Sequence, residues 1–173
     1  MARTMTEQHG TTTVGQLPTP TPTNSRVASV LTRLVWLVWI ASLGVVAARF
    51  VTDASWGVTG VVVIDGLTAV MWVTVTFFSG IVHSYSRRYL AGSRNLDRFF
   101  GRVFGFTLTV MVLVAADSFL LFLAAWVAMG LVMADLIGHV EGWPQAQAAA
   151  GLARRYFLAG GAALAVALGT LWW

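Results

Sequence analysis

Residues 83–139 read HSYSRRYLAGSRNLDRFFGRVFGFTLTVMVLVAADSFLLFLAAWVAMGLVMADLIGH. The stretch opens as a polar, arginine-rich turn and continues as nearly unbroken apolar sequence. Within the apolar part stand three ionisable groups, Asp117, Asp135 and His139. An acid inside an apolar run of membrane length is costly, so it marks a functional site by default. The reading of the whole chain turns on whether these groups carry protons or are only tolerated.

Working outward, the 173 residues are 57% hydrophobic and only 10% charged, with a mean hydropathy of +0.75. A soluble domain is about one-quarter charged, so this composition describes an all-α integral membrane protein. Cysteine is absent, which excludes disulfides, thiol nucleophiles and Cys-ligated metals. His9, His83 and His139 lie far apart and form no i, i+4 pair, so no metal site is indicated. The net charge of +4 comes entirely from arginine. Because the arginines fall in the turns between apolar segments, they read as topology and not as a nucleic-acid surface.

Residues 1–25 are Thr/Pro-rich, with Pro18, Pro20 and Pro22 alternating, and are expected to be a disordered arm. Residues 26–173 form the membrane domain, with spans expected at about 27–50, 61–82, 99–116, 118–138 and 156–173. Each approaches the ~20 helical residues that a ~30 Å hydrocarbon core requires. Pro144 is placed at the start of a short interfacial helix before the fifth span. Glycines 105, 130, 160 and 161 allow close helix approach. With five spans, ten arginines (3, 26, 33, 87, 88, 94, 98, 102, 154 and 155) fall on one side and only Arg49 on the other. The positive-inside rule then puts the N-terminus and the basic loop of Arg87, Arg88, Arg94, Arg98 and Arg102 in the cytoplasm. The C-terminus falls outside, and the location is the inner (plasma) membrane.

Asp135 is the most informative residue. It is four positions before His139, so the two share a helical face about 6 Å apart. Such a pair can share and relay a proton; the plainer reading is an acid reaching headgroup water, with His139 ending the helix. Asp117 reads as a turn residue capping the fourth helix, and Asp65 as an interfacial or capping acid in the first turns of the second. Both remain relay candidates with Asp135 and His139. No nucleotide loop, catalytic triad or haem-type His pair is present, so no catalytic residue and no cofactor is expected.

Taken together, these residues resemble a known family. The pattern comprises Asp65 and Leu67 before a long span, His83–Tyr85–Ser86–Tyr89 after it, and Arg98–Phe99–Phe100 entering the next. It continues with Ala116–Asp117, Leu120, Leu121, Trp126, Gly130 and Leu136–Ile137–Gly138. It is similar to the antiporter-like membrane subunits: the subunit 5 (chain L) type of respiratory complex I, the large subunits of multisubunit Na+/H+ antiporters, and the membrane subunits of inorganic-carbon pumps. The resemblance covers roughly Asp65 to Arg155. It implies a cytoplasmic HSYS-type segment, partner membrane subunits of the same complex, including quinone-reductase or carbon-pump subunits, and a role in proton or ion transport.

Two departures accompany it. Family members carry a central proton-channel glutamate after the tryptophan of the fourth span, where Trp126 is here followed by Val127. They also carry a later lysine in broken helices, whereas all eleven cations here are arginine. The expectation is a chain holding the family's N-terminal portion, a truncated or split subunit that contributes to translocation in a membrane complex. As an enzyme it would be at most a membrane subunit of an NADH–quinone oxidoreductase-like complex. The alternatives are a non-transporting structural subunit or a gene fragment without activity of its own.

Overall fold

Among the described residues, apolar runs and polar breaks resolve into five helices and one short hairpin. A computed structural model of the chain describes residues 25–91, 95–140 and 142–172; the stretch expected to be a disordered arm lies outside them except for Ser25. The elements are α1 (Arg26–Thr52), β1 (Trp56–Val58), β2 (Val62–Ile64), α2 (Gly66–Tyr89), α3 (Leu96–Ala115), α4 (Phe119–Ile137) and α5 (Pro144–Trp172). Four of them, α1 to α4, are long and apolar enough to cross a membrane. The all-helical membrane architecture expected from composition is the one found.

Side chains set where the helices begin. The first turn of a helix leaves amides without intrahelical partners. Ser25 Oγ accepts from the Ala28 amide at 3.2 Å, and Asp65 Oδ1 accepts from the Thr68 amide at 2.8 Å. Ser118 Oγ accepts from the Leu121 amide at 3.2 Å. At the far end of α4, the Gly138 amide donates to the Ala134 carbonyl at 3.1 Å, and Gln147 Nε2 donates to the Gly138 carbonyl at 2.9 Å.

Three boundaries differ from the sequence reading. Residues 61–64 do not open the second span: Val62–Ile64 pair antiparallel with Trp56–Val58. The hairpin requires Gly57, whose φ is +150° and whose absent Cβ would sit 2.0 Å from the Val62 carbonyl oxygen. The segment His83–Tyr89, read as a turn, continues α2 to its end. Pro144 starts not a short interfacial helix but α5 itself, 29 residues without interruption.

Packing follows chain order. α1 lies on α2 and α3, α2 on α3, α3 on α4, and α4 on α5. The α4–α5 contact is close because Gly130 faces Phe157, where an added Cβ would come within 2.7 Å of the Phe157 side chain. Gly161 likewise meets Val127, while Gly105 and Gly160 face open space. The interior is unusual for its polarity: Thr32, Ser42, Thr68, Thr76, Ser79, His83, Ser86 and Thr107 are buried, while Leu37, Ile40, Phe78 and Leu120 are exposed. Apolar groups outside and polar groups inside suit a hydrocarbon solvent.

The Gly130 contact yields a test. Gly130→Ala overpacks the α4–α5 seam, at a cost of about 1–3 kcal/mol. It is expected to lower the melting temperature in detergent, and adding Phe157→Ala is expected to recover part of the loss. A Gly130→Ala variant as stable as the parent would show that the helices are not in this close contact.

Candidate functional site

Among the described residues, polar and ionisable groups collect in three places, two at opposite ends of the helices and one between them. The first lies where α3, α4 and α5 meet. Asp135, in the last turn of α4, receives Arg154 of α5 at 2.8 Å between Nη2 and Oδ1. Arg102 of α3 reaches Oδ2 at 3.6 Å with Nη2 and donates from Nη1 to the Asp135 carbonyl at 3.3 Å. One carboxylate therefore ties three helices. The side chains are partly open, 44% exposed for Asp135 and 27% for Arg102, so the pairing is reachable from outside the helices. His139, just past α4, sets its ring against Phe99 of α3 with centroids 5.2 Å apart.

At the opposite end, Asp117 does not cap α4; Ser118 has that role. Asp117 instead holds the hairpin. Its Oδ2 accepts from the Gly60 amide at 2.7 Å, and its own amide donates to the Val61 carbonyl at 2.9 Å. Gly60, with φ +78°, makes the turn that presents this amide. Asp65 caps α2 next to the same hairpin, just outside the helix.

Between the two ends runs a feature that was not singled out from the sequence. Thr68, Trp72, Thr76, Ser79, His83 and Ser86 recur every three or four residues and so share one face of α2. Apart from the partly buried Trp72, all are buried. Trp72 Nε1 donates to the Met111 carbonyl of α3 at 2.9 Å. Ser79 Oγ lies 2.6 Å from Thr107 Oγ1 of α3. Thr107 spends its own proton on the Val103 carbonyl at 2.9 Å, so Ser79 is the donor between them. His83 Nδ1 is 2.8 Å from the Ser79 carbonyl. The signal was available as a three- and four-residue spacing of hydroxyls and an imidazole within an apolar helix.

The sequence-predicted residues are thus divided. Asp135 and His139 stand at the arginine-rich end, and Asp65 and Asp117 at the hairpin end. Of the basic loop, Arg87 and Arg88 close α2, while Arg98 and Arg102 lie on α3; Arg94 is outside the described residues.

A bundle of apolar helices with an internal polar seam and an ion cluster at one end defines a multi-pass helical membrane protein. The family model described as NADH-ubiquinone oxidoreductase (complex I), chain 5 N-terminus, matches residues 50–100. The NADH-quinone oxidoreductase subunit L of Rickettsia typhi is 40% identical over 75 residues, covering 43% of this chain and 12% of that protein. The NADH-ubiquinone oxidoreductase chain 5 of Arabidopsis thaliana is 39% identical over 85 residues, or 49% of this chain and 12% of that protein. A probable inorganic carbon transporter subunit DabB1 of Halothiobacillus neapolitanus is 32% identical over 126 residues, or 69% of this chain and 22% of that protein. These matches support a likeness to the N-terminal region of the antiporter-like membrane subunits. The alignments span 12% to 22% of the length of these relatives.

The Asp65 cap yields a pH prediction. Hydrogen bonds from the Thr68 amide and then its hydroxyl hold the Asp65 carboxyl below its ordinary value of 3.8. A depressed pKa in the folded state adds stability that is present at neutral pH and lost as pH falls through that lowered value. Asp65→Ala is therefore expected to cost about 1 kcal/mol near pH 7. The cost should shrink below pH 3.8, where the wild-type carboxyl gains its proton. Melting temperatures of the two proteins compared across pH check this; a constant difference would mean the carboxylate charge is not involved.

Proposed function

We propose that this chain is an antiporter-like subunit of a multisubunit complex of the plasma (inner) membrane. There it contributes to proton or cation translocation coupled to electron transfer or to ion or inorganic-carbon transport. The observation that carries the reading is the Asp135 cluster: a carboxylate in an apolar helix, shared by arginines from two other helices. Intramembrane acids that pair in this way mark ion and proton pathways. The charge of Asp135 holds Arg102 and Arg154, so α3, α4 and α5 meet at this carboxylate. His139, four residues further on and just past the helix, is the second member of the relay. Asp117 and Asp65 are the acids of the opposite end. In this reading the arginine-rich end faces the cytoplasm, the N-terminus lies inside, α5 is the fifth span and the C-terminus is outside. Further membrane subunits, of quinone-reductase or carbon-pump type, complete the pathway.

A second reading, a structural subunit that moves no ions, draws support from Val127. It stands where the family resemblance implies a proton-channel glutamate, and its Cγ2 packs 3.1 Å from where a Gly161 Cβ would be. That position is filled by helix packing.

Affinity purification of the tagged chain from mild detergent is expected to recover longer antiporter-like or carbon-pump membrane subunits. In vesicles holding the recovered complex, Asp135→Asn and His139→Ala are each expected to reduce ion flux tenfold or more. Flux unchanged in both variants, with a lowered melting temperature for Asp135→Asn, would favour the structural reading.

A further inference from the structure

The buried seam on α2 contains a group that neither the ion cluster nor the hairpin uses. His83 is 1% exposed and among the largest fully buried side chains of the chain. Its two ring nitrogens have unequal surroundings. Nδ1 is 2.8 Å from the Ser79 carbonyl, an acceptor, so Nδ1 carries the hydrogen and donates it. In a neutral imidazole this tautomer leaves Nε2 as a lone pair. Nε2 is buried and has no well-aligned hydrogen-bond partner among the described residues; the Phe100 backbone approaches the ring as an acceptor. A histidine kept only for packing would be expected to satisfy both nitrogens, since an unpaired buried acceptor costs free energy.

We propose that His83 is a proton-binding site inside the bundle, taking up and returning one proton at Nε2. The step is the addition of one proton to a neutral imidazole, giving an imidazolium, and its removal; no electron moves. The rest of the seam sets its place on a path. Ser79 Oγ is 3.4 Å from Nδ1, and Thr107 Oγ1 is 2.6 Å beyond it. Thr76, Trp72 and Thr68 continue along the same face toward the hairpin, and Ser86 lies one turn toward the arginine-rich end. Phe100 sets its ring edge-on to the imidazole with centroids 5.4 Å apart, an apolar wall on the α3 side. The charged side chains of the packed elements stand apart from the ring. Arg26 and Arg33 of α1, Arg87 and Arg88 of α2, and Asp97 and Arg98 of α3 are all exposed, and Arg102 is engaged with Asp135. The imidazole is thus the titratable group of the seam's interior, within two turns of the Arg87–Arg88 end of α2 and well removed from Asp65 at its start. Its purpose as a relay rests on the translocation reading above; its ability to bind a proton does not.

Two measurements test this. Ring-nitrogen NMR of the full chain in lipid bilayers, with His83 assigned through its own backbone, reads protonation directly. The expected result is the Nδ1–H form at high pH, with a second proton appearing on Nε2 as pH is lowered and the chain still folded. A ring that stays neutral over the range in which free histidine becomes doubly protonated would overturn the proposal. The second measurement is flux driven by a pH gradient in vesicles holding the complex. His83→Asn retains an amide N–H for the Ser79 carbonyl but cannot hold a proton. It is expected to lose at least tenfold in flux with the melting temperature little changed, and undiminished flux would refute the role in conduction. If the wild-type complex itself passes no protons, the translocation reading fails, and the NMR titration still decides whether His83 binds a proton.

Discussion

Hydrocarbon offers no hydrogen bonds, and that constraint governs how this chain spends its polar atoms. Each backbone amide and carbonyl in a span must be satisfied by the helix itself, and side-chain hydroxyls must find partners in protein. Thr32, Ser42, Thr74, Thr76, Thr107 and Thr109 each donate to the carbonyl four residues earlier in their own helix. A hydroxyl satisfied in this way still has lone pairs to offer a neighbouring helix. Ser79 uses those of Thr107, and through that bond α2 and α3 meet along a polar line. What appears in water to be an inverted protein, greasy outside and hydroxylic within, is the arrangement a bilayer favours.

The same constraint explains where charge is allowed. Asp117 and Asp65 sit at helix ends; Asp117 accepts from the Gly60 amide of the hairpin, and Asp65 from the Thr68 amide that opens α2. Asp135 lies a little inside the other end, where arginines on α3 and α5 can reach it. Arginine suits this work because its stem runs along the apolar surface while its guanidinium reaches the acid. The three acids thus hold together the pieces that the apolar surfaces alone leave loosely specified: hairpin to α3–α4 corner, α2 to its start, and α5 to α4.

The helices were legible because long apolar runs separated by arginines admit few other structures, and the family pattern from Asp65 to Gly138 was legible as a pattern of residue types. The boundaries were harder. Val61 to Ile64 is an apolar, β-branched run that serves a strand or a helix equally well, and only the φ of Gly57 and Gly60 decides for a hairpin. His83 to Tyr89 is polar enough to read as a turn, yet its polar residues alternate between a buried face, His83 and Ser86, and an exposed one, Tyr85, Arg87 and Arg88. Asp117 was visible as an acid at a break, but its partner, the Gly60 amide, lies 57 residues away. A distance in space of that kind leaves no mark in local spacing. The seam was missed for a different reason: hydroxyls are common in such helices, and burial on one face becomes evident only once α3 is in place.

The exchange of positions between Val127 and Asp135 brings these points together. Eight residues separate them, about 12 Å along a helix at 1.5 Å per residue. The family resemblance implies an acid after Trp126, and here that site is a valine pressed against Gly161. An acid there would have to share the tight α4–α5 contact, where neither arginine of the Asp135 cluster stands. Eight residues on, Asp135 has both arginines within reach and is open on one side. The ionisable function of α4 therefore sits at the edge of the bundle. The fully buried ionisable group is instead an imidazole on α2, with α3 between it and α4. That imidazole belongs to the polar line between α2 and α3, the two helices that the hydroxyl pair of Ser79 and Thr107 joins.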